Sequence, residues 1–433
     1  MHWRSKIAVG AGLIGIALSQ TSVPFPASCS GVTAAKYPYT IDAGWEVTKI
    51  ASGVRQPRTI VFDPLGNILV LQAGSGVSVH TFGADGCINS TASLISNTGL
   101  NHGLSLTPDG MTLYASSTTT AWSWAYDASA RTVSGQKTVV TGMSPGGHST
   151  RTVLVSPKNP NIVLVAVGSN ANWDTAASSP ATGRACVKSF DMSQVPANGY
   201  SYNSGGTMLA FGLRNEVALA FDPNGHAWGA ENSGDDFQRT VNGQATDIHI
   251  DNPAEELNYL GDPESPRTPN WFGYPTCFTV WEPTLFKDTT SLTTGSQFVV
   301  SPNNSFGDTS CTELSNPPRL SFPAHTAPIT NVFDKNATNM YITFHGSWDR
   351  QPPNGYFLVE VPFTKTEEGL YDPIAPADSK TGYKTILSAQ NPGSCNTGNC
   401  WRPAGLAWDL LGERLLFSSD NGADGEIFVL RKK

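Results

Sequence analysis

A histidine and an arginine lie three residues apart directly before an apolar segment of the sequence. In GGHSTRTVLVSP (146–157), His148 and Arg151 precede TVLVSP, a run that predicts a β-strand. An imidazole held at the start of a strand can serve as a general base, because its pKa lies close to neutrality. The simpler interpretation is a loop histidine that caps the strand, and residues elsewhere in the chain distinguish the two.

Arginine, histidine and asparagine residues recur beside other apolar segments. A single arginine in such a place usually binds a backbone carbonyl at the surface. Four arginines at equivalent positions would line one opening and repel each other unless an anion with several carboxylates or phosphates lay between them. The residues concerned are Arg58, Asn101, His102, His148, Arg151, Arg214, Asn215, His345 and Arg402.

The loop WGAENSGDDFQR (228–239) is the most acidic loop attached to one of these segments. Its carbonyl and carboxylate oxygens are the ligands that calcium prefers, and a solvated turn is an equally open interpretation. The sequence has no Cys/His spacing typical of zinc, no Gly-x-Ser-x-Gly motif of serine hydrolases, and no glycine-rich phosphate loop between a strand and a helix. Calcium is therefore the candidate metal.

These side chains belong to a pattern that recurs six times: an apolar strand, a turn rich in Asp, Pro, Gly or Asn, and a second apolar strand. Each copy predicts a β-hairpin. The copies are TIVFDPLGNILVL (59–71), LSLTPDGMTLYAS (104–116), TVLVSPKNPNIVLVAV (152–167), VALAFDPNGHAWGAE (217–231), NVFDKNATNMYITFHGS (331–347) and GLAWDLLGERLLFSS (405–419). Six such hairpins predict an all-β fold, a six-bladed β-propeller, with a β-sandwich or two stacked barrels as the alternative.

The longest interval between copies separates the fourth turn from the fifth. Between Asp222 and Asp334 the chain must carry an insertion, which we place within 251–320. No low-complexity linker divides the sequence, so we expect residues 28–433 to form one domain. Charged residues are only 14% of the chain, whereas it has 42 Gly and 30 Pro, which is typical of a turn-rich β protein.

The N-terminal segment has the pattern of a secretory signal peptide. Arg4 and Lys6 precede the apolar run 7–18, so residues 1–20 are predicted to be a signal peptide, with cleavage between about 19 and 27. No other stretch is long and apolar enough to cross a bilayer.

A net charge of −8 offers no basic surface for phosphates. We therefore expect neither nucleic acid nor a membrane as a partner.

Secretion makes the seven cysteines candidates for disulfides. Only the odd count is fixed by the sequence, and the pairs rest on plausible loop sizes. The predicted pairs are Cys29–Cys87, Cys277–Cys311 and Cys395–Cys400. Cys186 then remains as a buried free thiol. Glycosylation sequons at Asn89, Asn303 and Asn336 also agree with an extracellular protein.

Four motifs, in this order along the chain, resemble the pyrroloquinoline-quinone (PQQ) dependent sugar dehydrogenases, a family that includes soluble glucose and sorbosone-dehydrogenase-like proteins. The greatest similarity is to the fungal secreted pyranose dehydrogenases, and it runs from about residue 45 to 430. The motifs are GGHSTRTVLVSP, GLRNEVALAFDPNGHAWGAENSGDD, PAEELNYL and FHGSWDRQPPNGYFLVEVPF.

The resemblance implies a six-bladed propeller that binds PQQ and calcium. PQQ is a planar quinone with three carboxylates, which suits a ring of arginines, and calcium would make its reacting carbonyl more electrophilic. His148 matches the catalytic base, which takes the proton of the anomeric hydroxyl while hydride passes to the quinone. Arg151 would be structural or a neighbour of the cofactor.

The resemblance also assigns cofactor and metal residues. Arg214 and Asn215 match the pair that contacts the quinone, and Arg402 matches a cofactor-binding arginine. His345 stands where bacterial glucose enzymes have a lysine that contacts PQQ, and Arg58 stands where bacterial relatives tend to have an aromatic residue. Asn101 matches a polar amide beside the substrate and is grouped with the cofactor residues. The implied calcium residues are Ser233 and Gly234, through their carbonyls, and Asp235.

Two tryptophans are candidates for stacking on a sugar or on the quinone. They are Trp348 and Trp401, and the alternative for both is a place in the hydrophobic core.

The sequence thus predicts a secreted, monomeric PQQ-dependent dehydrogenase that oxidises the anomeric hydroxyl of an aldose or ketoaldose. Fungal relatives often carry a haem-binding cytochrome domain and a cellulose-binding module, and we expect neither here. The electron acceptor would then be external: a secreted cytochrome, a copper oxygenase or a small quinone. The alternatives are a non-catalytic propeller that binds glycans or proteins and, less well supported, a calcium-dependent lactonase or esterase.

Overall fold

The computed structural model describes residues 23–289, 291–422 and 424–433. The predicted signal peptide, residues 1–20, lies outside them, as does the start of the predicted cleavage window. Across the described part of the chain, none of the helices has the length and apolar character needed to cross a membrane.

Strands account for most of the ordered structure. In the first half of the chain they are β1 Tyr39–Ile41, β2 Trp45–Val54, β3 Pro57–Phe62, β4 Ile68–Gln72, β5 Gly76–Phe82, β6 Ile88–Ser96, β7 Leu100–Leu106, β8 Thr112–Ser117, β9 Ala121–Asp127, β10 Thr132–Thr141, β11 Val153–Val155, β12 Ile162–Val167, β13 Cys186–Asp191, β14 Tyr200–Ser201 and β15 Thr207–Phe211. In the second half they are β16 Glu216–Phe221, β17 Ala227–Glu231, β18 Gln238–Val241, β19 Gln244–Asp247, β20 Glu255–Gly261, β21 Cys277–Thr279, β22 Gln297–Val299, β23 Leu320–Phe322, β24 Pro328–Phe333, β25 Asn339–Phe344, β26 Phe357–Lys365, β27 Tyr371–Pro373, β28 Lys384–Ala389, β29 Pro403–Trp408, β30 Leu415–Ser419 and β31 Gly425–Lys432. One α-helix, α1, spans Asp308–Leu314, and 3₁₀ helices span Thr175–Ser178, Pro180–Thr182, Met192–Gln194, His249–Asp251, Pro283–Leu285 and Pro392–Ser394.

Six antiparallel sheets form the six blades of a β-propeller, as the repeats predict. In order, the main strands of the blades are β3–β6, β7–β10, β11–β13 with β15, β16–β17 with β20 and β23, β24–β26 with β28, and β29–β31 with β2. Each predicted hairpin forms the two innermost strands of one blade. The first strands of the six hairpins together surround the central channel.

Local side-chain chemistry explains why the hairpins turn where they do. The Asp63 carboxylate accepts hydrogen bonds from the backbone N–H groups of Leu65 and Asn67. Asp222 makes the same two bonds to the residues two and four positions later. An aspartate that satisfies the backbone N–H groups ahead of it holds a tight turn between two strands. This is why the repeat is visible in the sequence.

The N-terminal part of the chain closes the ring. Strand β2 pairs with the C-terminal strand β31 and completes the sixth blade, and β1 adds an outer strand to the fifth blade. Joining the two ends of the chain in one sheet removes the free edges that an open ring would have.

The fourth blade carries the inserted segment. Strands β20 and β23, at either end of the predicted interval 251–320, belong to the blade itself, so the insertion occupies 262–319. It contains the β21–β22 hairpin and α1. A second excursion, the β18–β19 hairpin, was not predicted, because its polar sequence carries no apolar alternation.

The three predicted disulfides are confirmed. They are Cys29–Cys87, Cys277–Cys311 and Cys395–Cys400. Cys186 is free and buried, as the odd count requires. The second bond joins β21 to α1 and therefore braces the insertion.

Candidate active site

The candidate residues meet at one end of the propeller. The first strands of the hairpins run side by side around the channel, so the residues that precede them lie around one opening. Arg58, Asn101, His148, Arg214 and Arg402 all lie just before, or at the beginning of, such a strand. His345 reaches the same opening from the far end of β25, the second strand of its hairpin. The fold thus collects residues that are far apart in sequence.

His148 presents one free nitrogen to a pocket at this opening. Its Nδ1 lies 3.0 Å from both the carbonyl oxygen and the hydroxyl oxygen of Ser169. A carbonyl oxygen can only accept, so Nδ1 carries the proton and Nε2 keeps its lone pair. Burial, and then the positive charge of Arg214, lower the pKa of His148 to about 4. At neutral pH the side chain is therefore an uncharged base.

Arg151 fixes the loop that carries His148. Its side chain is fully buried, and the guanidinium donates to the carbonyls of Thr118 (2.9 Å), His148 (2.5 Å), Thr150 (2.7 Å) and Ser144. Of the two roles expected for Arg151, the contacts support the structural one: three carbonyls of the His148 loop and one from the turn between β8 and β9 converge on a single cation.

Gly168 lies between His148 and Asn215. A Cβ atom at this position would stand 2.7 Å from the His148 Cβ and 2.6 Å from the Asn215 Oδ1. Both distances are shorter than any normal contact, so a side chain here would push the two residues apart. The sequence carried no signal for this role.

We expect Gly168→Ala to fold and to lower turnover by about 10- to 100-fold, because an ångström of misplacement in a catalytic group has an effect of this size. Gly398→Ala is the control, since the nearest atom to its Cβ would lie 3.5 Å away. Equal steady-state rates of the two variants would contradict this role of Gly168.

Arg214 organises the acidic loop opposite His148. Its guanidinium donates to the Asn172 Oδ1 (2.9 Å), the Asp235 Oδ2 (2.7 Å) and the Ser233 carbonyl, and its side chain is 5% exposed. Every nitrogen of the group has an acceptor in the protein. Arg214 therefore holds the loop and contributes a buried positive charge, rather than offering a free N–H donor.

Two carboxylates and an imidazole converge beside Arg214. Potential ligand atoms of Asp235, His325 and Asp349 all lie within 4.8 Å of one another. The His325 Nδ1 is 3.5 Å from the Asp235 Oδ1 and 3.7 Å from the Asp349 Oδ2. His325 lies about 90 positions after Asp235 in none of the recognised motifs, and Asp349 lies in the fourth motif with no spacing that marks it as a ligand, so both were missed in the sequence.

Glu255 is a further residue that supports this loop. Its carboxylate accepts from the backbone N–H groups of Ser233 (2.7 Å) and Ala327 (3.0 Å). Burial raises its pKa to about 7. Of the three predicted calcium residues, Asp235 joins the carboxylate group, the Ser233 carbonyl accepts from Arg214, and Gly234 packs against Phe237.

A second polar cluster adjoins the pocket. The Arg58 Nη1 donates to the Asp420 Oδ2 (2.6 Å), the His345 Nε2 donates to the Asp420 Oδ1 (2.5 Å), and the Arg402 Nη2 donates to the His345 Nδ1 (2.7 Å). Burial and Arg402 lower the pKa of His345 to about 4, although Asp420 opposes this. His345 is thus neutral here, and Asp420 was missed in the sequence.

Several polar atoms at this opening are buried without a partner in the part of the chain that the structure describes. They include the Arg402 Nη1 and the Asn101 Oδ1. The Asn101 Nδ2 is engaged, because it donates to the Ser149 carbonyl at 2.8 Å and so ties Asn101 to the His148 loop. A guanidinium N–H and an amide oxygen left without partners fit the polar groups of a bound ligand.

The two candidate tryptophans have different surroundings. Trp348 lines the pocket and is 69% exposed. Trp401 is 1% exposed, lies in a core cluster and donates its Nε1 proton to the Tyr356 carbonyl. The structure therefore removes Trp401 from the candidate site: its ring is covered on all sides and offers no stacking surface.

The contacts of the site suit a quinone cofactor and a calcium ion. Arg402 offers a free cationic donor for a carboxylate, with Arg58 close by in the same network. Asp235 and Asp349 offer oxygen ligands of the kind that calcium binds. The arginines therefore fit the carboxylates of the cofactor, and the aspartates fit a calcium ion.

The chain resembles known proteins over most of its length. A family model described as TrAA12-like matches residues 39–433. The chain belongs to the TrAA12-like family. Together with the relatives described next, this confirms the resemblance to PQQ-dependent sugar dehydrogenases at the level of the family.

Two curated proteins are similar to this TrAA12-like chain. The pyrroloquinoline quinone-dependent pyranose dehydrogenase of Coprinopsis cinerea is 40% identical over 411 residues, which are 94% of this chain and 56% of that protein. The pyrroloquinoline quinone-dependent sugar dehydrogenase of Hypocrea jecorina is 39% identical over 408 residues, 92% of this chain and 90% of that protein. The chain thus spans little more than half of the Coprinopsis protein.

Solved structures of relatives have the same architecture as the TrAA12-like chain. The holo form of the pyranose dehydrogenase PQQ domain from Coprinopsis cinerea is 40% identical with a TM-score of 0.90, covering 94% of this chain and 100% of that one. The calcium structure of the family AA12 enzyme of Trichoderma reesei is 37% identical with a TM-score of 0.86, covering 94% and 100%.

Proposed function

We propose that this chain is a secreted, PQQ-dependent sugar dehydrogenase that oxidises the anomeric hydroxyl of an aldose or ketoaldose and delivers the electrons to an external acceptor. The observation that carries the proposal is a neutral imidazole, His148, whose Nε2 bonds to none of the described residues and which lines the same pocket as the buried Arg214 and the Asp235 carboxylate. The relatives named as PQQ-dependent dehydrogenases support it.

His148 is the proposed base. Its Nε2 takes the proton of the sugar hydroxyl, while the Ser169 carbonyl stabilises the charged imidazolium through Nδ1. The proton moves from oxygen to Nε2, so the electron pair of the adjacent C–H bond can leave as hydride. Asn101, tied to the His148 loop, is placed to bind a neighbouring hydroxyl or the cofactor.

Cofactor and metal would be held by separate parts of the site. Arg402 and Arg58 bind carboxylates, His345 holds Arg402, and Asn215 lies beside His148. Asp235 and Asp349 bind calcium, with Arg214 and Glu255 fixing the loop around Ser233 and Gly234. When bound, PQQ supplies the two-electron acceptor and calcium acts as a Lewis acid on its carbonyl.

Secretion is proposed from the N-terminal segment and two structural observations. Three disulfides are typical of an oxidising compartment. The asparagines of the three sequons, Asn89, Asn303 and Asn336, are exposed, as an attached glycan requires.

Reconstitution with PQQ and calcium tests the proposal. We expect a rise in the midpoint of thermal unfolding, because a ligand at 100 times its Kd stabilises the folded state by about 2.7 kcal/mol, and dye reduction with at least one sugar of an aldose and ketoaldose panel. Calcium or PQQ alone should give a smaller rise. If the protein binds neither PQQ nor calcium, the alternative of a non-catalytic glycan- or protein-binding propeller replaces the enzyme.

A further inference from the structure

Of the aromatic residues that the structure describes, only two tryptophans are exposed: Trp348 lines the pocket, and Trp173 follows Asn172, which bonds to Arg214 and Asp235 of the pocket. Trp348 is 69% exposed and Trp173 is 38% exposed, whereas every described Phe and Tyr is buried or half-buried. Leaving an indole in water forgoes the free energy of burial, roughly 25 cal/mol for each Å² of apolar surface. Two such residues beside one pocket therefore require an explanation.

Trp173 belongs to a loop that contacts both sides of the candidate site. Ser169 accepts from the His148 imidazole, and Asn172 binds Arg214 and donates its side-chain N–H to the Asp235 carbonyl (2.6 Å). A residue that follows Asn172 directly in this loop lies at the edge of the pocket. None of the polar contacts of the site uses the Trp173 side chain itself.

The Trp173 ring is held as a rigid platform. It packs on Phe237 with ring centroids 4.7 Å apart and against the edge of Phe278 at 5.2 Å. Both phenylalanines are buried. The ring is therefore supported by the core cluster that contains Phe237 and Phe278 and remains partly open to solvent.

Trp348 stands on the other side of the same acidic loop. The Asp349 Oδ2 accepts from the backbone N–H of Asp236 at 3.1 Å, and Phe237, the next residue, supports Trp173. The 233–237 loop thus separates the two indoles, and the pocket lined by Trp348 and His148 opens beside them.

We propose that Trp173 stacks on a second sugar unit, so that the substrate is a disaccharide or longer oligosaccharide oxidised at its reducing end. The C–H face of a sugar ring packs on an indole while its hydroxyls stay in water. A protein partner is a poorer fit, because two separate rings divided by an acidic loop do not make the continuous patch that protein interfaces bury. The identity of the oxidised unit rests on the proposed function, but the binding of the second unit does not.

Binding of saccharides that cannot be oxidised tests the inference directly. Cellotriitol and maltotriitol lack the anomeric hydroxyl, so they probe the platform in the protein without PQQ. We expect one of them to quench tryptophan fluorescence and bind measurably by calorimetry, Trp173→Ala to weaken binding at least 10-fold, and Trp173→Phe to retain most of it. Leu314→Ala removes an exposed apolar side chain on α1 (52% exposed) and is the control, with unchanged binding.

Kinetics of the reconstituted enzyme give the second measurement. Trp173→Ala should raise the KM for disaccharides about 10-fold, leave the KM for the matching monosaccharide unchanged, and leave kcat within twofold. Absence of alditol binding to the unsubstituted protein, wild-type binding by Trp173→Ala, or an equal rise in both KM values would overturn the inference. Loss of all sugar oxidation with alditol binding intact would instead count against the proposed function alone.

Discussion

His148→Ala is expected to retain PQQ and calcium binding and to lose about 10²- to 10⁴-fold in turnover, the contribution of a positioned general base. Among the described residues the imidazole bonds only to Ser169, so its removal leaves the carboxylates and arginines of the site in place. Steady-state dye reduction, with PQQ binding followed by absorbance, separates the two effects.

His226→Ala is the matched control, because His226 is also half-buried but lies in the turn of the fourth hairpin, where it bonds to Tyr259. Its turnover should equal that of the unsubstituted enzyme. Turnover of His148→Ala within threefold of normal would show that another group takes the proton.

His148 is expected to be neutral at pH 7 in the protein without cofactor. Because burial and Arg214 lower its pKa to about 4, the imidazole stays neutral from pH 7 down to about 5 and gains its proton only below that. An unperturbed histidine would titrate near 6.5. NMR titration of the apoprotein, with His148→Ala used to assign the His148 resonance, distinguishes the lowered pKa from the unperturbed one.

Arg402→Leu is expected to weaken PQQ binding by about 100-fold while the protein stays folded. A charge-assisted hydrogen bond contributes about 1.5–3 kcal/mol, and the Arg402 Nη1 is the cationic donor at this opening that lacks a partner among the described residues. The Arg402→Leu substitution also removes the hydrogen bond to the His345 Nδ1, so we expect a modest fall in thermal stability as well.

The control is Arg319→Leu, since Arg319 is 44% exposed and pairs with Asp372 on the surface. PQQ affinity should be unchanged in this variant, because an exposed ion pair contributes little. Equal PQQ affinities of the Arg402 and Arg319 variants would mean that the cofactor carboxylates bind elsewhere.

The fold was predictable because the turn chemistry repeats. Asp63 and Asp222 each bond to the backbone two and four residues ahead, and this local rule leaves a trace in any single sequence. Closure of the ring by β2 and β31 depends on pairing between residues nearly 400 positions apart, and no local pattern reports it.

The candidate site was predictable in part. His148, Arg214 and Asp235 lie in motifs that carry the family resemblance, and they meet in one pocket. His325, Asp349 and Asp420 were missed because their roles arise from contacts between blades. Trp401 was assigned to the substrate on residue type alone, whereas a tryptophan beside a buried carbonyl is satisfied within the core.

The most direct test of the central claim is a single-turnover experiment with the PQQ- and calcium-loaded protein, mixed with an excess of sugar in the absence of oxygen and any acceptor. We expect complete reduction of the bound cofactor, seen in its absorbance, and one lactone (or the corresponding acid) formed per protein. We also expect His148→Ala, equally loaded, to react at least 100-fold more slowly. Full loading with PQQ but no reduction by any aldose or ketoaldose would contradict the claim that this site oxidises sugars.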